Sequence, residues 1–146
     1  MNEQRLRDLR EDHDLYQKDI AKIIGINRRT YSSWENGSKI IPLKHLNSLC
    51  NYYDVSMDYV LGLSKIKKYK NIKTLQELDK KMIGEKICLL RKKYNLTLRT
   101  LAKELNTTSS TISAYEQGRT LILTAFVYQI CKKYNLSIDK FVCRIT

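Results

Sequence analysis

Residues 27–37 read NRRTYSSWENG, and residues 108–118 read TSSTISAYEQG. Displaced by 81 positions, the two stretches fall into register: Thr30 on Thr111, Ser32 on Ser113, Glu35 on Glu116 and Gly37 on Gly118. They differ where the chemistry is strongest. Arg28 and Arg29 open the first stretch, and Ser109 and Ser110 stand in their places in the second. A guanidinium offers a rigid fork of donors, whereas a serine hydroxyl is small and pairs with almost anything. Little else in the chain could do chemistry. Cys50, Cys88, Cys131 and Cys143 form no C-x-x-C pair and have no zinc-ligand spacing with His13 or His45. The thiols read as small buried hydrophobes in a reducing compartment. A P-loop, a Gly-rich nucleotide motif and a Ser/His/Asp or Cys/His arrangement are missing, and no carboxylate pair has a reason in the sequence to be perturbed. No enzyme, metal or cofactor is expected.

The repeat is wider than these stretches. Residues 6–62 align with 87–143 without a gap, and 14 of the 57 positions are identical, including Arg10/Arg91, Ala21/Ala102, Cys50/Cys131, Ser56/Ser137 and Asp58/Asp139. Many others are apolar in both copies, among them Ile20/Leu101, Tyr31/Ile112, Trp34/Tyr115, Leu46/Val127 and Val60/Phe141. Agreement at candidate core positions implies one fold used twice. With 146 residues, the chain divides into a first domain at 1–63, a basic linker at 64–82 and a second domain at 83–146.

Charge is segregated across these parts. Residues 1–62 hold nine Lys/Arg against nine Asp/Glu, residues 63–82 hold seven against two, and residues 83–146 hold eleven against four. The +12 excess therefore lies in the linker and second copy, and points to a polyanionic partner. No apolar run approaches the length of a membrane span, and the N-terminus lacks the apolar core of a secretory signal, so a cytoplasmic location without a membrane partner is expected.

Each copy reads as five short helices, which makes the chain all-α. Ile20, Ala21 and Ile24 share a face over 17–24, and Gly25 stops that helix. Asn27 caps a helix over 28–35 with Tyr31 and Trp34 inward. Pro42 opens a fourth helix, and Ser56 caps a short fifth over 57–61. In the linker, Thr74-Leu75-Gln76-Glu77 has the capping-box spacing, so the first helix of the second copy is predicted to start at 75 and run to about 93, with Gly84 as a weak point inside it.

LYQKDIAKIIGINRRTYSSWENG (15–37) and LTLRTLAKELNTTSSTISAYEQG (96–118) resemble the helix-turn-helix of the Cro/phage-repressor (XRE) family of transcriptional regulators. The spacing of Ala21, Gly25, Ser32, Trp34, Glu35 and Gly37 carries the resemblance, and nearly all of it recurs in the second stretch. It implies two lambda-repressor-like five-helix domains in tandem and duplex DNA as partner. In this fold the second helix of the motif enters the major groove. On that footing Gln17, Asn27, Arg28, Arg29, Ser32, Ser33, Asn36 and Lys39 face DNA in the first domain. Thr108, Ser109, Ser110, Ser113, Gln117 and Arg119 are the counterparts in the second. The resemblance also implies internal ion pairs Arg10–Glu35 and Arg91–Glu116.

Leu98 replaces Gln17 and Ala114 replaces Ser33 in the second copy, as serines replace the arginines. Bidentate arginine discriminates guanine by about 1–3 kcal/mol, which serine does not. The second copy is thus expected to read sequence weakly, or to read a different sequence, and to hold phosphate, or else to dimerise. The apolar residues Leu98, Leu121, Ile122 and Leu123 favour a homodimer, while a linker of about 20 residues, reaching up to roughly 66 Å, permits tandem binding by one chain. The rival is a protein-interaction adaptor or antitoxin-like module on the same fold.

Overall fold

In a computed structural model, which describes residues 1–145, the first half contains α1 (Gln4–Asp12), α2 (Gln17–Ile24), α3 (Arg28–Glu35), α4 (Leu43–Tyr53) and α5 (Met57–Val60). The second half contains α6 (Lys80–Lys93), α7 (Leu98–Glu104), α8 (Ser109–Glu116), α9 (Thr124–Lys133) and α10 (Ile138–Phe141). The described residues form no strand.

The local signals explain most boundaries. The Asn27 side-chain oxygen accepts from the Thr30 amide at 2.8 Å, and Thr108 does the same for Thr111 at 3.2 Å, so each motif's second helix starts on a side-chain cap. Ahead of them the chain turns through a left-handed residue, Gly25 at φ +77° and Asn106 at φ +56°. Ala21 and Ala102 are buried where the paired helices cross, and Tyr31 meets Trp34 edge to face at 5.9 Å inside the first core. Tyr115 is buried likewise.

Three features differ from the sequence expectation. Helix α6 begins at Lys80, not at 75. Asp79 takes the cap, accepting from the Lys81 and Met82 amides at 3.0 and 3.1 Å. The Leu75 carbonyl is engaged elsewhere, accepting from Asn47 Nδ2 at 2.8 Å and Asn51 Nδ2 at 2.6 Å on α4. The linker is also no free tether. The Ser56 amide donates to Lys67 O, Tyr69 donates to Asp58 at 2.8 Å, and the Lys73 amide donates to Arg144 O at 2.7 Å. Finally, the apolar run 121–123 is only partly exposed. Ile122 is 2% exposed and its counterpart Ile41 4%, while Leu98 and Leu121 are half-buried against the core. Only Leu123 is open to solvent, which removes the surplus patch that favoured a homodimer.

Gly84 has a positive reason to be glycine. A Cβ there would lie 2.3 Å from the Tyr115 carbonyl oxygen and 2.7 Å from that of Glu116, so α6 crosses the end of α8 at backbone contact. The corresponding position in the first copy is Glu3, just before α1, so this crossing belongs to the second domain alone.

The two halves meet through α5 and α10. Asp58 and Asp139, both buried, each reach across to the start of the other's helix. Asp139 accepts from the Met57 and Asp58 amides at 2.9 Å each. Asp58 accepts from the Ile138 amide and the Ser137 hydroxyl at 2.6 Å each. Arg144, 1% exposed, seals this seam: it bonds Asp139 at 3.1 Å, Asn51 at 2.9 Å, the Val55 carbonyl at 3.3 Å, and also Asn47.

Candidate nucleic-acid interface

Arg28 and Arg29 occupy the first two positions of α3 and are exposed. The inner side of the same helix is fixed by Tyr31 and Trp34, so the arginines face outward because the apolar stripe faces in. One turn on, Ser32 and Ser33 are half-buried at the edge of that outer face, with the Ser33 hydroxyl turned back to the Thr30 carbonyl at 2.5 Å. Asn27, Asn36 and Lys39 are exposed at the two ends of the helix. Asn27 spends its oxygen on the cap and keeps its amide NH2 for another partner.

Beneath this face lies a polar ladder. Arg10 Nε bonds Glu35 at 2.8 Å and also donates from Nη1 to the Leu15 carbonyl at 2.8 Å. Glu35 accepts from the Tyr31 hydroxyl at 3.2 Å and from Gln17 Nε2 at 2.6 Å. Gln17 in turn accepts from Arg28 at 3.5 Å. The hydrogen bond to Glu35 holds Arg10 above the usual guanidinium range, and burial beside Glu35 pushes the Tyr31 phenol far up, so both stay protonated. A buried ion pair thus connects, through one glutamine, to an exposed arginine.

The second domain repeats the base of the ladder without its upper rung. Arg91 grips Glu116 with two bonds, at 2.8 and 3.0 Å, and donates to the Leu96 carbonyl at 3.0 Å. Leu98 stands where Gln17 would, packed on the core, so nothing joins Glu116 to the surface. Thr108, Ser109 and Ser110 are exposed at the start of α8, Ser113 accepts from Gln117 at 3.1 Å, and Arg119 is exposed in the turn that follows.

Sequence reasoning left out two cations beside that turn. Lys44, near the start of α4, and Lys80, at the start of α6, line one cleft of about 430 Å³ together with Arg119, with Glu77 on its wall. Neither lysine belongs to a motif; the packing of α6 on the end of α8 brings Lys80 near Arg119, and only the meeting of the halves brings Lys44 there. Among the described residues no cluster of three or more His, Cys, Asp or Glu is arranged to hold a metal, and no helix is long and apolar enough to cross a membrane.

A family model described as helix-turn-helix matches residues 6–60, and another described as helix-turn-helix domain matches residues 84–143. The chain is 48% identical over 61 residues to the uncharacterized HTH-type transcriptional regulator YobD of Bacillus subtilis, covering 42% of this chain and 54% of that one. It is 33% identical over 61 residues to the antitoxin PezA of Streptococcus pneumoniae, covering 42% of this chain and 39% of that one. It is 30% identical over 86 residues to the cryptic phage CTXphi transcriptional repressor RstR of Vibrio cholerae, covering 54% of this chain and 78% of that one. The chain thus spans about half the length of YobD and less of PezA, but most of RstR. With the motif matched in both halves and a phage repressor aligned over most of its length, the chain belongs to the helix-turn-helix family of transcriptional regulators and carries its domain twice.

Proposed function

We propose that this chain is a repressor-type transcriptional regulator of the cytoplasm that binds duplex DNA with both domains and catalyses nothing. Helix α3 enters the major groove, where Arg28 and Arg29 read base edges while Gln17, Asn36 and Lys39 hold the flanking phosphates. Helix α8 presents Ser109, Ser110 and Ser113, which choose poorly among bases, and Arg119 supplies phosphate affinity.

The observation that carries this reading is the outward placement of Arg28 and Arg29 at the first turn of α3 over a buried ion-pair ladder. The net charge of +12 supplies the attraction to phosphate that falls with salt. A gel-shift titration across salt with the Arg28→Ala, Arg29→Ala chain tests it. Sequence preference should vanish while salt-dependent binding remains. Preference surviving in that variant would move the reading to α8. A wild-type chain that shows no more than a weak non-specific slope would point instead to protein interaction, the class to which an antitoxin-like role belongs.

A further inference from the structure

The repeat in the sequence means that two DNA-facing helices exist; the contact between the halves tells how they are turned. This step rests on the DNA-binding reading above and adds the arrangement of the bound site.

Asp58 and Asp139 are equivalent positions, as are Met57 and Ile138. Asp139 accepts from the Met57 amide, and Asp58 accepts from the Ile138 amide. A contact in which position 58 meets position 57 of the other unit, in both directions, is isologous. It arises from a two-fold rotation. A head-to-tail arrangement would join two different patches. The symmetry is approximate: the Asp58 amide also donates to Asp139 while the Ser137 hydroxyl donates to Asp58, Tyr69 bonds Asp58 on one side, and the buried Arg144 bonds Asp139 on the other. Because α10 already covers α5, that surface of the first domain is closed to a second copy.

A separate observation concerns the side on which the DNA-facing elements lie. The turn that follows α8 comes up against the start of α4, and both border the cleft that holds Lys44, Lys80 and Arg119. Across the seam, Met1 shares a groove with Lys39 and Ile40 of the turn after α3, its ammonium lies 3.5 Å from the Tyr128 hydroxyl, and Tyr128 on α9 is the equivalent of Asn47 on α4. The turn after each recognition helix therefore lies near the fourth helix of the other domain, and the turn after α8 does so beside three cations, Lys44, Lys80 and Arg119, and one carboxylate, Glu77.

We infer that one chain, without a second copy, occupies a single duplex bearing two unlike half-sites in inverted order. Helices α3 and α8 enter successive major grooves on one face, and Lys44, Lys80 and Arg119 lie on the phosphates between them. A palindrome reader made of two identical chains is here one chain with one arginine half and one serine half.

The test is selection from a pool of random duplexes of roughly 30 base pairs, long enough for two half-sites about 10 base pairs apart. It is run with the full wild-type chain and with the Ser109→Arg, Ser110→Arg, Ala114→Ser chain, whose α8 then presents the outer residues of α3. The wild type should return one strong and one weak half. The variant should return a palindrome, bound by one chain per duplex in sedimentation, and on the order of tenfold tighter than a duplex with one half reversed. Reversing the weaker half of the wild type's own selected duplex gives a second readout without any substitution, and should weaken binding. A direct repeat, a requirement for two chains per duplex, or bridging of two duplexes overturns the inference. A lone half-site bound by one chain overturns it too but leaves the DNA-binding reading standing. Recovery of no DNA ends both.

Discussion

Asp58 and Asp139 cap each other's helices across the seam between the two domains, with four bonds between 2.6 and 2.9 Å. Two buried carboxylates facing one seam repel and resist desolvation; burial accordingly holds the Asp139 carboxyl above the usual range. What makes the arrangement tolerable is that backbone amides at the start of α5 and α10 point at the carboxylates and the Arg144 guanidinium closes over Asp139.

Asp58→Ala should therefore do more than remove a contact. It leaves the buried Ile138 amide and the Ser137 hydroxyl without their acceptor, and each such loss costs about 1–3 kcal/mol. It should also uncouple the domains. Trp34 is the one tryptophan and sits in the first core, so its fluorescence reports that domain while circular dichroism reports both. In urea the two signals should coincide for the wild type and separate for Asp58→Ala. Coincident curves in the variant would mean that the seam does not couple the halves.

Gly84→Ala should destabilise, against the ordinary trend for a helix. In an open helix that change gains about 1 kcal/mol. Here the new Cβ would meet two carbonyl oxygens of α8, which are backbone and cannot swing aside. Overpacking of this kind costs about 1–3 kcal/mol, enough to lower Tm by several degrees in a thermal melt. A raised Tm would show that α6 does not cross α8 this closely.

The same glycine owes its identity to a partner about 30 residues away, which no local pattern reveals. Helices α2, α3, α7 and α8 and the caps Asn27 and Ser56 follow from local signals: an apolar stripe, a capping side chain, a left-handed turn residue. The ion pairs Arg10–Glu35 and Arg91–Glu116 came with the family resemblance and lie within one fold unit, 25 residues apart. Asp58 and Asp139 were visible as an identity between the copies, and a carboxylate early in a helix already has a local explanation in the helix dipole. Nothing local says that its partner is the other copy, about 80 residues away. Arg144 has no basic counterpart in the first copy, where Leu63 stands, and Gly84 makes sense only against α8. The internal helices of each domain were readable because they are local; the seam and the linker's course were not, because they are made of long-range pairs.

Thiol labelling should divide the cysteines in two. Burial pushes the Cys131 thiol up to about 12 and the Cys50 thiol beyond the usual range, so thiolate at either is scarce near pH 8. Native protein treated with iodoacetamide should be modified at Cys88 and more slowly at Cys143, whose thiol is also raised by partial burial. In denaturant all four should react. Mass spectrometry of the digested protein reads the result; labelling of Cys50 at the rate of Cys88 would contradict the packing of α4.

Gln17→Leu isolates the rung between the buried ladder and the DNA-facing arginine. The second domain already carries leucine at this position, packed on its core, so the fold accepts it. Glu35 keeps Arg10 and Tyr31 on Oε1 but its buried Oε2 loses the glutamine donor, so stability should fall by about 1–3 kcal/mol while the chain still folds. Affinity for the preferred duplex should fall several-fold, because Arg28 loses its tether and the phosphate loses a donor. Glutamine is neutral, so the slope of log K against log salt should stay where it was. Arg28→Ser removes a charge instead: a phosphate contact would lower the slope by about one, and a base contact would relax preference at one position by about 1–3 kcal/mol. Fluorescence anisotropy at several salt concentrations separates these outcomes. Unchanged affinity in Gln17→Leu would show that the ladder serves only the fold and that Arg28 acts without it.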